Sequence, residues 1–226
     1  MNHVPSHIED TAVFIIGAGH FGSRAARILS EAHVAPLVVV DRDASRLAAL
    51  EDLPVRTVSE DGICFLVENF PVLRPSHTIV PAVPVHLAFE WVKGRLDGLF
   101  TLKKVAVPAE IEPRMPFTWP GSEGSLLVSY SDFVCPDDCP EPEYCTVTGE
   151  RRDIPLYRLM RDLDLPGFSV HVIRSRQLAP GLGGYRVEDL SRLAERLTGE
   201  RSGKWLLGSS CRCHGILTAF DMQPAS

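Results

Sequence analysis

The stretch Gly17-Ala18-Gly19-His20-Phe21-Gly22 has three glycines at G-x-G-x-x-G spacing, a pattern that can cradle a pyrophosphate. Gly17 suits a tight turn, Gly19 lets backbone approach the anion, and Gly22 lets a helix pack close to a strand. Asp41 lies 19 positions after Gly22, where a βαβ unit presents a carboxylate to the adenosine ribose hydroxyls. An acid there repels a 2′-phosphate and favours NAD over NADP, a preference that the adjacent Arg42 would soften. Within the loop, His20 and Phe21 flank the expected anion, and His20 could reach a phosphate. The ligand expected is NAD(H).

A second set of chemistry-bearing residues is sulfur. Cys135, Cys139 and Cys145 have C-x3-C-x5-C spacing, and Cys211 and Cys213 follow about 70 positions later, ahead of His214. On an extended strand Cys211 and Cys213 would point to the same side. Four thiolates can hold a structural zinc or an iron–sulfur cluster, so these five cysteines are expected as metal ligands, with the choice between the two metals open. Unligated reduced thiols and a reactive cysteine are the alternatives. The acids Asp137, Asp138, Glu141 and Glu143 would oppose thiolate charge unless a cation were near. Arg151 and Arg152 are placed to pair with them. Cys64, within Ile63-Cys64-Phe65-Leu66, is expected as a small buried apolar residue.

His86 and Glu90 are four apart on one expected helix face, as an acid–base pair or an ordinary surface pair would be. The turn Pro180-Gly181-Leu182-Gly183-Gly184 precedes a helix; a loop needing positive φ is expected there rather than a second anion site.

The elements that must position these groups alternate. Ala12–Gly17 and Pro36–Val40 read as buried strands, with a helix between them bearing Phe21, Ala25, Ile28 and Leu29 on one face. Helices are expected over Ala44–Leu50, Gly62–Glu68 and Pro84–Gly94, and strands over Val55–Val58, His77–Pro81 and Lys103–Val107. This is the pattern of an α/β, Rossmann-like parallel sheet with helices on both faces. The Pro- and Gly-rich stretch Ala109–Gly124 suggests a boundary, giving a nucleotide-binding domain over 1–110 and a smaller cysteine-containing α+β region over 111–226. In that region a strand is expected over Ser125–Val134, a helix over Pro155–Leu163 and a strand over Phe168–Arg174. A helix carrying Val187, Leu190, Leu193 and Leu197 follows, then a hairpin or bent strand from Lys204 to Met222.

The segment VFIIGAGHFGSRAARILSEAHVAPLVVVDRDASRLAAL resembles the nucleotide-binding domains of Trk-type potassium-transport regulators, over about the first 50 residues. The resemblance implies a Rossmann fold and an adenine-dinucleotide ligand.

Composition limits the remaining classes. The chain has 226 residues, 45% of them hydrophobic, and can bury a substantial core. A net charge of -6 argues against sequence-independent nucleic-acid binding. No apolar run approaches the roughly 20 residues that span a bilayer, and the N-terminal MNHVPSHIED has no secretory pattern. A cytoplasmic location is expected, where thiols stay reduced and disulfides are disfavoured. The leading expectation is an NAD(H)-binding protein with a Cys-ligated centre in a redox or redox-sensing role. The alternatives are a non-catalytic nucleotide-sensing regulator and a small dehydrogenase using His86. A protein partner and homo-oligomerisation stay open.

Overall fold

The computed structural model describes residues 11–34 and 36–225; the expectation about MNHVPSHIED falls on residues outside these. β1 (Val13–Ile16) runs into the glycine loop and α1 (His20–Glu31), and β2 (Leu37–Asp41) returns beside it. Then come α2 (Ala44–Ala48), β3 (Arg56–Ser59), α3 (Gly62–Asn69) and β4 (Thr78–Pro81). These strands form a parallel sheet in the order β3-β2-β1-β4. β1 and β2 are buried along their whole length, because helices cover both faces and leave no edge for water.

α4 (Leu87–Arg95) begins three residues later than Pro84, with His86 as its N-cap. Pro84 therefore lies in the connection and not in the first helical turn. β5 (Phe100–Val105) departs from the expected parallel alternation. It pairs antiparallel with β12 (His214–Pro224) in a second sheet. The crossover from β4 through α4 is long enough for a parallel return to the first sheet, but β5 instead takes its backbone partners from β12.

The place beside β4 is taken from the second half. β9 (Arg176–Ala179) and β10 (Leu182–Arg186) form a hairpin, and β10 pairs antiparallel with β4. The hairpin turn is Pro180–Gly181, and Gly181 at φ 67° meets the positive-φ expectation, while Leu182–Gly184 already belong to β10.

The second sheet runs β6 (Phe117–Pro120), β7 (Leu126–Ser129), β12, β11 (Gly203–Ser210), β8 (Phe168–Arg174). The expected Pro-rich boundary segment in fact supplies β6, and β7 ends at Ser129, five residues short of Val134. β11 and β12 form the expected hairpin, joined at Cys211–Cys213.

The two sheets share a helical layer. α3, α4 and α6 (Val187–Glu200) are packed on Phe14, Val40 and Ile79 of the first sheet and on Trp205, Leu207 and Phe220 of the second. α1 and α2 cover the outer face of the first sheet, and α5 (Leu156–Arg161) covers that of the second. The fold is therefore mixed α/β in five layers. Burying side chains such as Phe14, Trp91 and Trp205, each no more than 1% exposed, contributes about 2–3 kcal/mol apiece.

Candidate functional site

The glycine loop owes its path to backbone contact. Gly17 stands at φ 103°, and a Cβ there would lie 2.4 Å from the Ala82 carbonyl oxygen. A Cβ on Gly22 would lie 1.8 Å from the Gly17 oxygen, so this glycine is what lets α1 seat on the strand end. Gly19 is open by comparison: its nearest neighbour would be the Arg46 guanidinium at 3.8 Å. Gly19 is also the N-cap of α1, and that end has neither a side-chain cap nor an acid in its first turn. α2 and α3, by contrast, are capped by Asp43 and Asp61. The first amides of α1 thus have no side-chain acceptor, a feature shared with the N-terminus of α5.

Asp41, at the carboxyl end of β2, is buried, and one carboxylate oxygen accepts from the Ala18 amide at 2.6 Å while the other accepts from Asp43 at 2.8 Å. These bonds lock the carboxylate against the glycine loop and leave lone pairs on both oxygens. A cavity of about 310 Å³ opens beside it, lined by Gly17, Asp41, Arg42, Arg46 and Gly62 and by the Ala82–Val85 connection. Arg46 lies 3.8 Å from Asp41 and also borders the recess beside Gly19 and His20. Sequence reasoning passed over Arg46; its signal is its place in the first turn of the helix after β2, facing back toward the loop.

His20 and Phe21 point elsewhere. His20 Nε2 lies 2.8 Å from Asp137 in the cysteine loop, and Phe21 is 61% exposed beside Val134, Cys135 and Gly181. Neither lines the cavity beside Asp41.

The two cysteine clusters meet in space. Cys135 Sγ lies 3.4 Å from His214 Nε2, and Cys211 Sγ lies 3.9 Å from His214 Nδ1. Cys211 to Cys213 form the tight turn between β11 and β12 and are not extended, so the same-side arrangement expected of a strand is replaced by a turn. There the amides of Cys213 and His214 both donate to Cys211 Sγ, at 3.4 and 3.3 Å. Burial pushes the Cys211 thiol up, with the Glu141 carboxylate adding to it. Cys145 is buried, and the Thr148 amide holds its thiol below the usual range.

Arg152 stands among these thiols. Its guanidinium donates to Cys213 Sγ at 2.7 Å and to Ser131 Oγ at 3.0 Å. Arg151 does pair with local acids, Glu143 and Asp153; Arg152 instead is buried and has its guanidinium among sulfur and hydroxyl acceptors. Among the described residues no group of three or more His, Cys, Asp or Glu side chains is arranged to hold a metal ion. The expected ligand set Cys135, Cys139, Cys145, Cys211 and Cys213 is not assembled as such, because Cys213 faces a guanidinium and Cys145 is turned into its own Thr148 loop. Cys64 is exposed, against expectation: on α3 the buried positions are Phe65, Leu66 and Asn69, which leaves Cys64 off the inner face.

His86 and Glu90 have separate partners. Glu90 binds Lys104 at 2.6 Å. His86 is buried between Thr218 Oγ1 at 2.8 Å and Ser209 Oγ at 3.0 Å. Burial, and then Lys104, pushes the imidazole down to about 3, so it is neutral at ordinary pH.

Known families match along most of the chain. The TrkA-N domain matches residues 13–63, which include the glycine loop and Asp41. The family described as "Uncharacterized protein, C-terminal domain" matches residues 88–223. An "Uncharacterized protein" of Archaeoglobus fulgidus is 33% identical over 218 residues, covering 91% of this chain and 97% of that relative. No solved structure matches. The N-terminal region is thus a Rossmann-like domain of the Trk type, and no helix among the described residues is long and apolar enough to cross a membrane.

Proposed function

The chain belongs to the family whose model matches residues 88–223, and from that premise we propose that it is a cytoplasmic NAD(H)-binding regulator with its ligand at the glycine loop. The observation that carries this is the uncapped α1 terminus beside a cavity rimmed by Asp41, Arg42 and Arg46. The α1 amides would hold the pyrophosphate, with Gly19 and Gly22 permitting its approach. Asp41 would accept from the ribose hydroxyls, and Arg46 would lie near the phosphate side. His20 and Phe21 would serve at the margin, joining the loop to residues 134–137. The TrkA-N match over residues 13–63 supports a nucleotide-binding regulatory domain at this end of the chain.

Calorimetric titration with NADH, NAD, NADPH and ATP tests this. NADH or NAD should bind with micromolar affinity, and Asp41→Ala should weaken that binding about tenfold, or about 1.4 kcal/mol. An unchanged affinity in the variant removes the ribose contact, and no binding of any of the four removes the function.

A second reading concerns the thiols, and their convergence around His214 favours it. Burial and Glu141 keep Cys211 protonated, so a redox-sensing role, through zinc, an iron–sulfur cluster or the thiols themselves, would rest on the convergence of Cys135 and Cys211 on His214. A metal would have to draw Cys213 away from Arg152. Metal analysis and a visible spectrum of anaerobically purified protein decide it. A protein free of zinc and iron, with thiols inert to mild peroxide, would leave the nucleotide reading alone.

A further inference from the structure

Cys135 stands where the cysteine loop meets the end of the β11–β12 turn. It is half-buried and borders two surface cavities, of about 290 Å³ and about 510 Å³. Cys135, Val134 and His214 are common to both. The charged side chains on the walls are Asp137 and Glu141 in the smaller cavity and Asp132 in the larger, and no Lys or Arg lines either.

Cys135 Sγ lies 3.4 Å from His214 Nε2 and 3.3 Å from Ser131 Oγ, so a nucleophile and a base are within hydrogen-bond reach. Burial holds the His214 imidazole below its usual range, against the pull of Glu141, so at ordinary pH it is neutral and can take a proton. With its own proton on Nδ1, the side that faces Cys211, the ring turns a lone pair at Nε2 toward Cys135. Ser131 Oγ accepts from Arg152 at 3.0 Å, which places a guanidinium one hydrogen bond behind the thiol. A cation at that place favours charge on the sulfur, and the Ser131 hydroxyl keeps a proton to donate to it. The other thiols lack this set. Among the described residues Cys211 is the other thiol with an imidazole in reach, at 3.9 Å, and burial with Glu141 keeps it protonated. Cys145 and Cys213 are buried. On Cys64 the partial burial of the sulfur, and then Asp61, push the thiol up.

We propose that Cys135 is a nucleophilic thiol with His214 as its base, and that its reactant is a small uncharged peroxide. This rests on the thiol reading above and names the residue that reacts. The Cys135 proton passes to His214 Nε2 as the sulfur attacks one peroxide oxygen. An S–O bond forms and the O–O bond breaks; the sulfur loses two electrons and the peroxide gains them. The departing hydroxide takes the proton back from His214, leaving a sulfenic acid, water and a neutral imidazole. The carboxylates on both cavity walls repel an anionic reagent, which sets the preference for an uncharged one.

The test treats the reduced full chain with hydrogen peroxide, traps sulfenic acid with dimedone and maps the adduct by mass spectrometry. Cys135 should be labelled about tenfold faster than any of the other five cysteines, and His214→Gln should slow it about tenfold. Two alkylating probes read the same thiol without a variant, so a misfolded His214→Gln does not end the test. Iodoacetamide should modify Cys135 about tenfold faster in the native protein than in the urea-unfolded chain at pH 7, although the fold half-buries it. The iodoacetate to iodoacetamide rate ratio at Cys135 should be several-fold lower in the native protein than in the unfolded chain. Faster labelling of another cysteine would overturn the proposal and leave the thiol reading standing. The same holds for a peroxide rate unchanged in a folded His214→Gln, a native alkylation rate no higher than the unfolded one, or equal rate ratios in the two states. Thiols that are all inert to peroxide would remove the thiol reading and this proposal together.

Discussion

The glycine loop and the cysteine loop touch through His20 and Asp137 at 2.8 Å, yet they are built in opposite ways. The glycine loop lies within one continuous β1–α1–β2 run, and its shape follows from which backbone atoms leave no room for a Cβ. The thiol cluster is drawn from residues 135–152 and 211–214, and its shape follows from where charge and sulfur are buried. The first kind of site tolerates almost no change of residue type at a few positions. The second depends on one long cation placed from a distance.

The largest effect expected is at Gly22. Gly22→Val sets a Cβ 1.8 Å from the Gly17 carbonyl oxygen, which is backbone and cannot swing aside. It should cost roughly 3 kcal/mol, lower the unfolding temperature by about 10 °C and abolish nucleotide binding. A variant with wild-type stability would mean that the loop is not held by this contact.

Next is Arg152→Met, which strips Cys213 and Ser131 of their buried donor. A loss of about 2–3 kcal/mol in denaturant unfolding is expected. Arg151→Ala, on an exposed pair, should leave the midpoint unchanged. If both variants behave alike, the guanidinium is not what organises the thiols.

The pH profile comes third. His86 titrates at about 3 in the fold and near 6.5 in the unfolded chain. Between these values the unfolded state binds the extra proton, so stability rises with pH up to about 6.5 and is flat above it. Going from pH 7 to pH 5 should cost about 2 kcal/mol from this group, with His171, pushed down to about 4 by its own burial, acting in the same direction. His86→Gln should flatten that slope. A stability that begins to fall only below pH 5 would remove the assignment of the acid sensitivity to His86.

The smallest effect on folding is expected at Gly19. Gly19→Ala meets nothing closer than the Arg46 guanidinium at 3.8 Å, at an ordinary φ of -69°. Stability should change by less than about 0.5 kcal/mol, while NADH affinity should drop several-fold if a pyrophosphate sits there. Unchanged affinity would put the anion elsewhere.

Legibility followed the same division. The strand, the glycine loop, α1 and Asp41 were readable because local patterning and steric rules act within about 30 neighbouring residues. β5 carried a strand pattern, but no local signal says which sheet a strand joins; its pairing with β12 joins residues more than 110 positions apart. Arg151 and Arg152 look alike in sequence, and only burial separates a solvated ion pair from a cation set among sulfurs. Cys64 sat in an apolar run, and helical rotation turned it outward.

By itself, then, the sequence determined the α/β class, the nucleotide-loop motif and the gathering of cysteines into two segments, because each depends on residues close along the chain. Tertiary structure alone decided that β10 replaces β5 beside β4, that Arg152 stands among the thiols, and that Tyr185, His86 and Ser209 border one cavity. Those outcomes rest on which distant surfaces exclude water from one another, and burial of that kind is a property of the packed chain rather than of any stretch within it.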